Sequence, residues 1–275
     1  MLTTNLLVDE TGRVHLLAVP FGGDTSYLSC VGDCSQASSW SALQLAGFRC
    51  QRASLAVGGV GIGAACVNGG TVKLFQCLGQ NCTSPSAWTT TTVSNNVLAY
   101  SDVTLSYDFA RPKLAFFDAT SAPNLWKCDG GCSNSSNWSG LRFSPAQSTN
   151  SIGGLHLAVT ELGHAFFTTA VDDGVRILRC TTGDACWMPG GVWDSIATVE
   201  TKPQVASTLT AVPPACPANQ TGFAQVWTRE NPALVATETG VFVLTHTNDF
   251  WGCSPDVNSY VKSKYRVHLS FVPLD

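Results

Sequence analysis

Acidic residues recur in this chain where an apolar run gives way to a polar loop: Asp24, Asp118, Asp172 with Asp173, and Asp249. Arginines and aromatics fall in the stretches that join one repeat to the next: Arg49 and Arg52, then Tyr100, then Trp227 and Arg229 with Glu230. A carboxylate can accept from paired hydroxyls and a guanidinium donates in a planar fork. An aromatic ring offers a flat apolar surface for the face of a pyranose. Together these are the groups a sugar site needs. Any one aspartate reads first as a turn residue, since Asp bonds its own backbone in loops; the recurrence speaks for a site.

The elements that must position these residues are marked by cysteines. A cysteine-pair hairpin occurs as YLSCVGDCSQASSW at 27–40, LFQCLGQNCTSPSAW at 74–88, LWKCDGGCSNSSNW at 125–138 and ILRCTTGDACWMPGGVW at 177–193. Each copy runs from an apolar stretch into Cys30, Cys77, Cys128 or Cys180, reaches Cys34, Cys82, Cys132 or Cys186, and then a Trp. A degenerate fifth copy, FWGCS, carries Cys253. The spacing is about fifty residues, and fixed-period self-similarity decides architecture before local propensity does.

Each repeat resolves into four β-rich runs, A to D, punctuated by Gly, Asn, Asp and Ser. In the first they are NLLVD, RVHLLAVP, SYLSC and SWSALQL. The A–B turn recurs as Glu10-Thr11-Gly12, Glu161-Leu162-Gly163 and Glu238-Thr239-Gly240. Four short strands per repeat of this length predict an all-β β-propeller of five four-stranded blades, with disulfide-braced C–D hairpins. The blades are expected at about 1–48, 49–97, 98–147, 148–200 and 232–275, with an insertion at 201–231 and YRVHLSFV as the closing strand. Because MLTTNLLVDE runs almost directly into a repeat, the chain is expected to be one part of a longer secreted or surface protein.

Twelve cysteines, eight of them in tight pairs, point to an oxidising compartment, hence a secreted or cell-surface setting. Zinc would need two pairs to converge on one ion, whereas each pair here sits in its own repeat with no His beside it. Cys50 with Cys66, and Cys216 with Cys253, are the expected remaining bridges, although spacing leaves that connectivity open. Asn81, Asn134, Asn137 and Asn219 open glycosylation triplets. A net charge of −4 gives no nucleic-acid footprint. No apolar run approaches the roughly 18 residues of a membrane-spanning helix.

The hairpin with a Trp opening strand D resembles the Asp-box turn of sialidase-like propellers, with a disulfide in place of the Asp and Gly brace. The chain also resembles secreted propeller lectins built from aromatic-marked repeats. The resemblance covers nearly the whole chain at the level of repeat architecture and implies fold more strongly than activity. In a propeller the A–B turns and C–D hairpins share one face, and the B–C loops and D–A linkers the other. The second face is the expected ligand face, with Asp24, Arg49, Arg52, Asp118, Asp172, Asp249, Trp227 and Arg229 as its candidate residues.

The expected function is a carbohydrate-binding, lectin-like adhesion module whose partner is a glycan or cell-surface molecule. No cofactor is implied beyond a calcium ion in the short acidic loop Val171-Asp172-Asp173-Gly174. The alternatives are a glycoside hydrolase, with Asp24, Asp102 and Asp118 as carboxylates, and a protein-binding scaffold. A sialidase would also need an arginine cluster, for which only Arg49, Arg52, Arg111 and Arg229 lie near suitable loops. Trp40, Trp88, Trp138 and Trp193 read as packing anchors ahead of sugar platforms. Trp126 and Trp251 read as core, and Trp187 and Trp227, which match no repeat position, as surface candidates.

Overall fold

The computed structural model describes residues 3–20, 23–45, 49–59, 61–79, 81–143, 155–171, 174–199, 221–228, 233–254 and 260–274. They form five antiparallel sheets, each drawn from one contiguous stretch of chain. Blade 1 is β1 (Thr3–Val8), β2 (Val14–Val19), β3 (Ser26–Cys30) and β4 (Trp40–Gln44). Blade 2 is β5 (Arg52–Gly58), β6 (Gly61–Asn68), β7 (Thr71–Leu78) and β8 (Trp88–Ser94). Blade 3 is β9 (Val103–Asp108), β10 (Arg111–Phe117), β11 (Pro123–Cys128) and β12 (Trp138–Arg142). Blade 4 is β13 (His156–Val159), β14 (Ala165–Val171), β15 (Gly174–Cys180) and β16 (Asp194–Val199). In all four the strand order follows the sequence, so this is a propeller of simple meander blades.

The fifth sheet departs from that order. It holds β17 (Thr221–Thr228), β18 (Ala233–Ala236), β19 (Gly240–Ser254) and β20 (Tyr260–Pro273). The long β19 pairs with β18 near its start and β17 near its end, while β20 runs along its other side. Residues 221–228, within the stretch read from sequence as an insertion, thus supply a strand of this sheet. The run YRVHLSFV lies in β20.

Sheet packing follows from strand patterning. Along β2, His15, Leu17 and Val19 are buried while Val14, Leu16 and Ala18 are only partly so. In the inner blades both faces are covered and alternation disappears: Pro112 through Phe117 are buried without a break in β10. Between blades lie continuous apolar clusters, such as Leu17, Tyr27 and Leu43 of blade 1 against Leu55, Ala64 and Phe75 of blade 2. The A strands also bond across blades. The Asn5 amide donates to Ala53 O (2.9 Å), the Leu105 N–H to Ser54 Oγ (3.0 Å), and the Thr104 hydroxyl to Leu155 O (3.0 Å). Gly63 of β6 lets Tyr107 of β9 lie against the backbone, since a Cβ there would collide with the Tyr107 hydroxyl and Leu105.

The hairpins are built alike. Disulfides join Cys30–Cys34, Cys77–Cys82, Cys128–Cys132 and Cys180–Cys186, and a fifth joins Cys50–Cys66. In three hairpins a 3-10 turn delivers the Trp opposite the first cysteine, pairing Cys30 with Trp40, Cys77 with Trp88 and Cys128 with Trp138. Each indole Nε1–H then donates to the carbonyl of the second cysteine. Trp40 reaches Cys34 (3.0 Å), Trp88 Cys82 (2.9 Å), Trp138 Cys132 (3.2 Å) and Trp193 Cys186 (3.0 Å). The repeat tryptophans are therefore hairpin braces. Trp187, expected at the surface, is instead 2% exposed: the longer fourth hairpin turns it inward against Trp193. The Cys216–Cys253 pairing lies outside the described residues.

Candidate functional site

Three Asp–Arg pairs stand among the B–C loops, the D–A linkers and the strand ends beside them. Arg49 Nε lies 3.4 Å from Asp24 Oδ1, Arg52 Nε 3.6 Å from Asp102 Oδ1, and Arg142 Nε 2.6 Å from Asp118 Oδ2. Asp24 of a B–C loop meets Arg49 of the following linker, and the three pairs differ in how their aspartates are held.

Asp118 is a fastener. Its Oδ1 accepts from the Thr120 N–H (2.9 Å), the Thr120 hydroxyl (2.7 Å) and the Ala122 N–H (3.1 Å). Arg142 Nη2 donates in turn to Thr120 Oγ1 (2.6 Å). Burial alone would raise the Asp118 pKa. The Thr120 hydroxyl, Arg142 and the two amides outweigh it and hold the carboxyl well below the usual range. At 5% side-chain exposure, with its oxygens already engaged, Asp118 closes the B–C loop of blade 3.

The other two pairs are longer, and the Arg49–Asp24 pair is the more open of them. Arg49 is 69% exposed and Asp24 25%, at a distance that a competing hydroxyl could divide. Arg52 is 35% exposed over a nearly buried Asp102. Its Nη1 donates to Gln51 O (3.3 Å), but its Nε is shielded from solvent and has no hydrogen-bond acceptor. The hydroxyls of Thr25 and Ser101, the neighbours of Asp24 and Asp102, are likewise buried without partners. Buried polar groups are normally satisfied, so such orphans mark a place where water or a ligand completes the network.

Of the other sequence candidates, Asp172, Asp173 and Arg229 lie outside the described residues, as does the calcium loop they would form. Trp227 lies on β17 and Asp249 on β19, and their backbones pair with Asn248 and Val226 respectively. Tyr100 is 57% exposed with a left-handed backbone, φ 62°.

Sequence reading missed a charged knot on the opposite face, where the hairpin of blade 4 reaches blade 3. Asp184 lies 2.7 Å from Arg111 Nη1, 3.6 Å from Lys113 Nζ and 3.9 Å from Lys127 Nζ. Lys127 also pairs with Asp129 (2.8 Å). Lys113 is fully buried, its ammonium 5.0 Å from the Trp187 ring centroid. Burial, then Arg111, lowers its pKa against the opposing pull of Asp108 and Asp184. Matched charges and buried stems make this a clamp between blades. Blade 1 has its own buried chain: Asp9 Oδ2 to His15 Nε2 (3.0 Å) and His15 Nδ1 to the Tyr27 hydroxyl (2.7 Å).

No protein-family model and no curated protein sequence matches the chain. Solved structures do match. AofleA from Arthrobotrys oligospora aligns over 96% of this chain and 70% of its own, at 11% identity and a TM-score of 0.50. A mutant of the Aleuria aurantia lectin, in complex with Fucα1-6GlcNAc, aligns over 96% and 78%, at 12% identity and a TM-score of 0.50. A fucose-specific lectin from Aleuria aurantia in a mercury-derivative form gives 96% and 78%, 11% and 0.51. The chain is a β-propeller. At such identities the likeness extends to the fold of the propeller, and its ligand must be argued from its own residues.

Proposed function

We propose that this propeller is an extracellular carbohydrate-binding module whose sugar is held on the face of B–C loops and D–A linkers, with Arg52, Asp102, Asp24 and Arg49 as its polar contacts. The observation that carries the reading is two arginine–aspartate pairs, the exposed Arg49 with Asp24 and the half-exposed Arg52 over a nearly buried Asp102, each next to a buried hydroxyl without a hydrogen-bond partner, Thr25 Oγ1 and Ser101 Oγ. A pyranose presents hydroxyls that both donate and accept, which suits a surface holding carboxylates and guanidinium groups together. The five disulfides and the lack of any helix long and apolar enough to cross a membrane among the described residues are consistent with an extracellular protein. The fungal lectins support the reading at the level of fold. Hydrolysis is less well supported, because Asp118, one of its three candidate carboxylates, is already held by Arg142, the Thr120 hydroxyl and the Ala122 N–H.

A glycan array probed with the oxidised protein, with and without calcium, tests the proposal. Selective binding is expected. Because hydrogen bonds to charged groups contribute about 1.5–3 kcal/mol, Arg52→Ala should weaken it roughly 10- to 100-fold. Absence of glycan binding, or binding indifferent to Arg52→Ala and Asp24→Ala, would refute it.

A further inference from the structure

The blade–blade interface has two unlike halves. On blade 2, the face turned to blade 1 carries two cross-strand rows, Leu55, Ala64 and Phe75, and Val57, Ile62, Cys77 and Trp88. Blade 1 repeats that face on its far side. Register places Leu6, Leu16, Leu28 and Ala42 in one row and Val8, Val14, Cys30 and Trp40 in the next. Here the edges of the rows are open: Leu6 is 65% exposed, Val8 58% and Ala42 exposed, while Val14, Leu16, Leu28 and Trp40 between them are half-buried and Cys30 is buried.

The complementary half is free at the other end. Blade 5 packs Leu234, Val241 and Val243 on blade 4. Its far side aligns Val235, Phe242 and Phe271 in one row, and Leu244 and Leu269 in the next. Val267 is 70% exposed, Leu269 67% and Phe271 50%. Both faces are open in the same molecule, so they are not sealed on each other. Contiguous apolar faces of this kind mark interaction sites.

We infer that the chain associates head to tail with a second copy of itself, the outer face of blade 5 in one copy packing on the outer face of blade 1 in the next. What fits blade 1's face is the kind of face that blade 1 itself offers to blade 2, and blade 5 carries the free example. The contact continues the interface used between successive blades within the chain. It is heterologous, so it propagates until a ring closes.

Sedimentation velocity of the oxidised chain over about two decades of concentration tests this, since association must follow mass action. The wild type is expected to sediment faster as concentration rises. Leu6→Glu with Val8→Glu blocks one half, and Val267→Glu with Leu269→Glu the other; each variant alone should be monomeric. An equimolar mixture should form a heterodimer and nothing larger, because one competent face survives on each partner. All four positions are exposed, and an unchanged near-UV spectrum checks the fold. Ala42→Lys, on the outermost strand of the blade 1 face, repeats the test with the least disturbance. A wild type that stays monomeric, a variant that still associates alone, or a mixture that does not pair would each overturn the inference.

Discussion

Replacing Asp118 with Ala removes an acceptor that serves four donors at once, and the fate of each donor sets the cost. Thr120 is exposed and Arg142 is 54% exposed, so their groups rehydrate. Ala122 is fully buried, and its N–H is stranded. An unsatisfied buried donor costs about 1–3 kcal/mol. Breaking a buried ion pair costs about 3–5 kcal/mol, and the lower end applies here because Arg142 can turn to water. The expected loss is therefore about 3 kcal/mol. At roughly 2–4 °C per kcal/mol for a chain of this size, the melting temperature should fall by about 6–12 °C. Asp24→Ala, which removes one partner of an exposed pair, should cost no more than about 1 kcal/mol. Thermal and urea unfolding of the oxidised protein measure both. The acid limb supplies a further check. The folded Asp118 pKa lies far below its ordinary value of 3.8, so the unfolded chain takes up the proton first as pH falls. Its stabilisation is complete above about pH 5 and fades below that. Asp118→Asn should flatten this limb. Equal destabilisation by Asp24→Ala and Asp118→Ala, or a loss under about 1 kcal/mol for Asp118→Ala, would refute the division between binding and fastening aspartates.

Gly63→Ala should cost about 1–3 kcal/mol in urea unfolding, because the new Cβ overpacks the contact with Tyr107 and Leu105. Trp138→Phe should lower stability by about 1 kcal/mol through loss of the indole bond to Cys132 O. Glycan binding by this variant should be unchanged, which titration of the proposed ligand would show.

The blades were legible because a cysteine pair and a Trp punctuate each repeat in a way no buried pattern can blur. Asp24, Asp118, Arg49 and Arg52 were legible as residues of one face because the B–C and D–A connections of a propeller must meet. That Asp118 fastens while Asp24 stays open was not, since the distinction rests on Arg142, Thr120 and the burial of Ala122. Lys113 was hidden for a different reason. It lies in an apolar strand where a long aliphatic stem packs like any other, and its partner Asp184 comes from the next blade's hairpin. The fifth sheet was misleading because its first strand, 221–228, falls in a stretch that lacks the repeat's punctuation.

Each sheet is drawn from consecutive strands, and each hairpin disulfide spans at most a sequence separation of 6. Its pairings therefore need no residue from the far end of the chain. During synthesis, blade 1 can pair its strands and bring Cys30 beside Cys34 while blade 5 is still unmade. Contacts local in sequence shorten the search, and domains built this way are suited to assembly from the N-terminus during synthesis. The vulnerable interval comes after the sheets form and before they stack, when every blade shows apolar rows on two sides. The unequal halves of the interface then act as a sorting rule, admitting each newly made blade on the free side of the one before it.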